Sequence, residues 1–219
     1  MAKDAKSAFC EDSRVKFPTL MHLMGMGFKY VSLKGLKTKY VEAPKTEFDP
    51  LTNILTDYFT DAYCTLNPKA EKKDAEDMLV KIQKSLQNDD LGKQFYNEIL
   101  LNTGERIIDL SSPANFYRNN TFQVTTEMTC GSKDSDNYRP DITIFVNGLP
   151  LAFIEVKKEN NHKGIQAETD RMKQRFVNPQ YRRFLNITQI MVFSNDMEYD
   201  NNEVTPTIGA FYATIGKKN

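Results

Sequence analysis

Residues 140–160 read PDITIFVNGLPLAFIEVKKEN, and no other stretch limits the fold so sharply. Two runs of β-branched and aromatic residues, DITIFV and LAFIEVK, flank VNGLP, so the segment is a strand, a turn and a second strand. Side chains alternate along a strand, which sets Leu151, Phe153, Glu155 and Lys157 on one face and Ala152, Ile154 and Val156 on the other. Apolar residues on both faces make this a central strand, covered on both sides. Yet the first run opens on Asp141, and the second ends on Glu155, Val156, Lys157 and Lys158. A lone carboxylate beside a buried apolar row costs on the order of several kcal/mol, so Glu155 calls for a cationic partner.

Two acids with no histidine nearby form a hard-oxygen donor set suited to Mg²⁺. Register decides whether they meet. If VNGLP is a five-residue loop, or a bulge adds one residue, Asp141 lies opposite Glu155 on the same face. With a tight four-residue loop the two acids point to opposite faces. The acid-x-Lys triplet carries little by itself, because Asp4/Lys6 and Glu71/Lys73 also form one in polar, solvated stretches. Without further support, Asp141 could equally cap a turn and Glu155 could simply pair with Lys157.

Around this segment, alternating patterns predict one α/β domain over residues 1–219, with a mainly helical part at 1–104 and a sheet-rich core at 105–219. FPTLMHLMGMG predicts a short helix ending at Gly25 or Gly27, followed by a strand-like FKYVSL; residues 34–48 read as a loop. Leu51, Ile54, Leu55, Tyr58, Phe59 and Ala62 recur at helical spacing, with Asp49 or Thr52 as the cap. Two further helices are expected in NPKAEKKDAEDMLVKIQKSL and in DLGKQFYNEILLNTG, the latter closing on Gly104. RIIDL, TFQVTTEMTC and TQIMVFS read as additional strands. GIQAETDRMKQRF reads as a helix whose Ile165, Thr169, Met172 and Phe176 form a core stripe.

The 29 basic and 29 acidic residues cancel, so any basic surface must be local. One exists: residues 157–183 hold eight Lys or Arg against three Asp or Glu. Such a run suits a phosphate backbone read without sequence, although a helix face of alternating charge is commonly just solvated. Cys10, Cys64 and Cys130 lie far apart, and His22 and His162 are the only histidines, which argues against a zinc site or a His-centred triad. No apolar run approaches the ~20 residues that span a bilayer. The odd cysteine count suits a reducing, cytoplasmic setting. No Gly-x-x-x-x-Gly-Lys-Ser/Thr phosphate loop occurs.

RPDITIFVNGLPLAFIEVKK resembles the nuclease core of the restriction (motor) subunits of type I restriction-modification enzymes, members of the PD-(D/E)xK nuclease superfamily. The resemblance runs upstream through FYNEILLNTGERIIDL and NNTFQVTTEMT and downstream through NITQIMVFSND, about residues 90 to 215. It implies a restriction-endonuclease-like central mixed sheet flanked by helices, and Mg²⁺-dependent, sequence-nonspecific cleavage of double-stranded DNA. Asp141 and Glu155 would be the Mg²⁺ ligands, with the main-chain carbonyl of Val156 as another, and Lys157 would orient or deprotonate the attacking water. Lys158, Lys163, Arg171 and Arg175 are the expected DNA contacts. Where many relatives carry Gln-x-x-x-Tyr on the helix after the lysine, this chain has Arg171 and Arg175. Some superfamily members add a Glu on an early helix; the stretch near Lys16 offers no match, which leaves Glu98 as a secondary candidate. The resemblance further implies a longer subunit, with ATP used only by motor domains outside this chain, and specificity and methyltransferase subunits as partners. A catalytically silent module of the same fold and a stand-alone repair nuclease are the alternatives.

Overall fold

Asn147 and Gly148 both adopt left-handed backbone angles, φ 52° and 76°. They form the two-residue turn that joins strand β5 (Ile142–Val146) to strand β6 (Leu149–Val156). This pair of angles matches the right-handed twist of the flanking strands, which is why Asn-Gly is favoured there. Glycine is also required for space: a Cβ at 148 would lie 2.5 Å from the Leu55 carbonyl oxygen and 2.9 Å from the Phe59 nitrogen. That closeness comes from docking of helix α2 (Thr56–Leu66), whose first residues hang on the turn through Leu55 N–H donating to the Gly148 carbonyl at 2.9 Å.

The computed structural model describes residues 16–37, 42–43, 45–102, 104–131, 138–156, 162–194 and 211–214, of which 36–37, 42–43, 162–166, 168–169 and 211–214 are described by their backbone. Helix α1 (Phe17–Gly25) leads to strand β1 (Lys29–Tyr30), then to a small antiparallel pair, β2 (Leu36–Lys37) and β3 (Glu42–Ala43). After α2 come helix α3 (Lys72–Ser85), a π-helical turn (Phe95–Leu100) and helix α4 (Pro113–Asn119). Strand β4 (Phe122–Thr126), β5 and β6 follow, then helix α5 (His162–Val177), helix α6 (Arg182–Ile187), and strands β7 (Ile190–Ser194) and β8 (Phe211–Thr214). The main sheet has the order β1-β4-β5-β6-β7-β8. It is mixed: β1 runs parallel to β4 and β7 parallel to β6, while the other pairs are antiparallel.

Helices cover both faces. Val146 and Leu149 pack with Phe59, Tyr63, Met78, Ile82 and Phe95 from α2, α3 and the π-helical turn. On the opposite side Phe153, Met191 and Phe193 pack with Met172 of α5 and Phe184 and Leu185 of α6. β6 is thus central, with the expected cover on each side. Met172 and Phe176 hold the core positions expected of the α5 stripe, whereas Ile165 and Thr169 lie outside the described side chains.

Several local expectations change. The 34–48 segment contains the β2–β3 pair. α2 begins at Thr56, because Asp49 Oδ1 accepts from Leu51 N–H and Asp49 Oδ2 from Thr52 Oγ1, closing a turn that ends on left-handed Asn53. Leu51 is consequently exposed. RIIDL is not a strand, although Ile107, Ile108 and Asp109 are buried. Its backbone bonds to asparagine side chains instead of a ladder. Asp109 N–H donates to Asn120 Oδ1, Asn120 Nδ2 donates to the Asp109 carbonyl, and Asn147 Nδ2 donates to the Ile107 carbonyl. A buried segment needs those partners from somewhere, and here side chains supply them. The strand expected in FKYVSL, β1, joins the main sheet, so the sheet draws on residues from both sides of 104. Among the described residues no helix is long and apolar enough to cross a membrane.

Asn147 also accepts from Thr121 N–H and donates to Asn120 Oδ1, and it is fully buried. Asn147→Ala strips partners from several buried groups at once and should cost roughly 3 kcal/mol in denaturant unfolding. Thr143 is the contrast: its buried hydroxyl has no hydrogen-bond partner among the described residues. Thr143→Val should leave the unfolding midpoint unchanged or raise it.

Candidate active site

The pairing of β5 with β6 changes register partway along. Phe145 pairs with Pro150, whereas Ile144 pairs with Ala152, so Leu151 is an extra residue in β6. Beyond this bulge Ile142 pairs with Ile154, and the same register carried one residue further sets Asp141 opposite Glu155. The turn itself is tight; the bulge alone supplies the shift. Asp141 is anchored there, because its Oδ2 accepts from Val156 N–H at 2.9 Å. Its backbone carbonyl accepts from Glu127 N–H at 3.2 Å, which ties the end of β4 to the start of β5.

The two acids have different surroundings. The Asp141 side chain is 23% exposed, while Glu155 is 5% exposed. Glu155 shares the β6 face of Phe153, above the cluster that contains Cys130, Tyr138, Met172 and Tyr181. Its charge is felt nearby. Burial first, then the Glu155 carboxylate, push the Tyr138 phenol well above its ordinary range, and the same two causes raise the Cys130 thiol. Arg175 opposes both shifts, since its guanidinium carbon lies 4.0 Å from the Tyr138 ring centroid. Glu155 and Arg175 therefore act electrostatically on the neutral Tyr138 phenol in one patch under the sheet.

On its outer side Asp141 meets a cation that sequence reasoning did not assign to the site. Lys16 Nζ lies 3.1 Å from Glu127 Oε1 and 3.5 Å from Asp141 Oδ1, with only 13% of the lysine side chain exposed. The hydrogen bond and charge of Lys16 hold the Glu127 carboxyl below its usual range. Lys16 directly precedes α1, and β1 fixes the position of that helix. Phe28 packs edge-on against Phe122, β1 pairs with Gln123 and Val124, and Thr125 Oγ1 donates to the Val31 carbonyl at 2.8 Å. Glu127 stands just past β4 at φ 53°, a left-handed conformation at the end of the strand.

The remaining expected residues divide. Val156 ends β6 and is buried. Lys157 and Lys158 lie outside the described residues, and Lys163 is described only as backbone of α5. Arg171 is exposed on α5. Arg175, half-buried, lies over Tyr138 and donates to Met172 Sδ at 3.3 Å. Glu98 sits on the exposed side of the π-helical turn and accepts from Gln94, with no described contact to the site. The residues missed by sequence reasoning are Lys16, Glu127 and Tyr138. The sequence carried no signal for them, since they reach the site only through the pairing of β1 with β4, the end of β4, and the bridge between Cys130 and Tyr138.

Among the described residues no three His, Cys, Asp or Glu side chains converge as a protein cage for a metal. A pair of carboxylates at the end of a central strand, one buried and one accessible, instead fits Mg²⁺, which usually keeps waters and takes one or two protein carboxylates. A six-stranded mixed sheet between helices, with acids on adjacent strands at one end, defines a restriction-endonuclease-like α/β protein. Residues 9–204 match the family described as type I restriction enzyme R protein N terminus, and the chain belongs to that family. No curated protein matches the chain closely enough to count as a relative.

Tyr138 gives this patch a pH dependence. Its phenol ionises less readily folded than unfolded, so its contribution is complete below the ordinary value of about 10 and is lost as pH rises past it. Tyr138→Phe should therefore shift alkaline unfolding, followed by circular dichroism, to higher pH.

Proposed function

We propose that this chain is the nuclease domain of a type I restriction R subunit, cutting double-stranded DNA without reading sequence at the cleavage point. The observation that carries this reading is the β6 bulge, which sets Asp141 opposite Glu155 at the end of a central strand. In this reading Asp141, Glu155 and the Val156 carbonyl hold Mg²⁺. The bound ion would polarise a phosphoryl oxygen and make its water more acidic.

The chain's own groups do the rest. Val156 N–H holds one Asp141 oxygen, leaving the carboxylate oriented before any substrate arrives. Lys157, next after the end of β6, orients or deprotonates the water and offsets charge building at phosphorus. The water oxygen bonds to phosphorus, the opposite P–O bond breaks, and the departing oxygen takes up a proton. Lys158, Lys163 and the exposed Arg171 bind the backbone phosphates, whereas Arg175 stacks on Tyr138 beside the site. We place this domain in a longer subunit whose motor domains use ATP and whose complex includes specificity and methyltransferase subunits.

One observation favours a second reading, a catalytically silent module of the same fold. Asp141 already engages Lys16 through one oxygen and Val156 through the other. Calorimetric titration separates the readings, because a silent module shows no Mn²⁺ binding that depends on Glu155.

Asp141→Ala, Glu155→Ala and Lys157→Ala should each lower plasmid cleavage by the purified complex by roughly a hundredfold or more, with ATP-driven translocation retained. Undiminished cutting by any of the three would overturn the assigned roles.

A further inference from the structure

The ammonium of Lys16 stands between two carboxylates that the nuclease reading uses only in part. Glu127 and Asp141 come from the facing ends of β4 and β5, and Glu127 N–H donates to the Asp141 carbonyl. Their outer oxygens converge on one point, which Lys16 Nζ occupies at 3.1 and 3.5 Å. The lysine is held there. Its side chain is mostly buried, and α1 and β1 anchor it to β4. The inner oxygen of Asp141 faces the other way, toward Val156 N–H and the end of β6. Asp141 therefore has two sides: one toward Glu155, and one toward Glu127 and the ammonium.

A divalent ion on the outer side would bind oxygens at about 2.1 Å for Mg²⁺ and would have to share that space with the ammonium. Two-metal phosphodiesterases place their ions about 4 Å apart on a shared carboxylate. Asp141 is placed to be that shared carboxylate, and Lys16 fills the second position. We propose that Lys16 is a resident cation that replaces a second metal, so that the site takes a single divalent ion, on the Asp141–Glu155 side. This rests on the nuclease reading of the site. It assigns Lys16 a positioning role: the ammonium neutralises Glu127, holds the outer oxygen of Asp141, and sets the number of ions.

The test is Mn²⁺ binding to the purified 219-residue chain without DNA, counted by electron paramagnetic resonance and by calorimetry. The wild type should bind one Mn²⁺, and Glu155→Gln should abolish it. Lys16→Met should bind a second Mn²⁺, because it removes the positive charge that occupies the space between Glu127 and Asp141. Adding Glu127→Gln to Lys16→Met should return the count to one, and Lys16→Arg should behave as wild type. If Lys16→Met lacks a cooperative thermal transition, Lys16→Gln replaces it, with the same gain expected. Two ions in the wild type, or wild-type binding curves for the neutral Lys16 variants, would overturn the Lys16 assignment and leave the nuclease reading intact. Absence of any Mn²⁺ binding in the wild type would remove both.

Discussion

One additional residue in β6 governs the arrangement of the acids. Side chains in a strand alternate, so a shift of one position exchanges the faces of everything beyond it. The turn at Asn147–Gly148 is as short as a hairpin allows, and with unbroken pairing it would set Asp141 opposite residue 154. Leu151 absorbs the difference. Bulges bend a strand and re-aim its side chains, and this one brings the carboxylates of two strands to one end of the sheet. The turn cannot slip to compensate, because Gly148 is pressed against α2 and Asn147 is bonded into the 107–121 segment.

Around that register the electrostatics are asymmetric. Glu155 is buried, and together with burial itself it raises Tyr138 and Cys130, while Arg175 lies close enough to moderate both. Asp141 is partly open and meets its positive charge from the other side, through Lys16. The acids therefore lie beside different parts of the chain, Glu155 by α5 and the 130–138 bridge, Asp141 by the segment before α1. Asp141 has a cation in direct contact, while Arg175 and Glu155 act in opposite senses on Tyr138 and Cys130.

The fold serves this site by covering the central strands on both faces. α2, α3 and the π-helical turn fill one side and α5 and α6 the other, so the strand ends are the places where polar groups can gather. The parallel step from β6 to β7 needs a long crossover, and α5 with α6 provides it. The first helix of that crossover, α5, carries Lys163, Arg171, Lys173 and Arg175 in its sequence.

The strand–turn–strand at 140–156, the central position of β6 and the helical covers were legible in the sequence, because local alternation and turn chemistry report them. Asp141 and Glu155 could be named as a pair for the same reason, and membership of the type I R-protein family follows from the RPDI–FVNGLPL–IEVKK pattern and its match over residues 9–204. What the sequence by itself left open was the register between the two acids, since a bulge leaves no mark on alternating apolar residues. RIIDL misled for a related reason: β-branched composition signals burial, and only distant asparagines decide that its backbone bonds to side chains. Lys16, Glu127 and the contact of Arg175 with Tyr138 belong wholly to the tertiary structure. Lys16 and Glu127 are 111 residues apart, and no local preference encodes their meeting; it exists because β1 pairs with β4 and carries the lysine to the end of the strand.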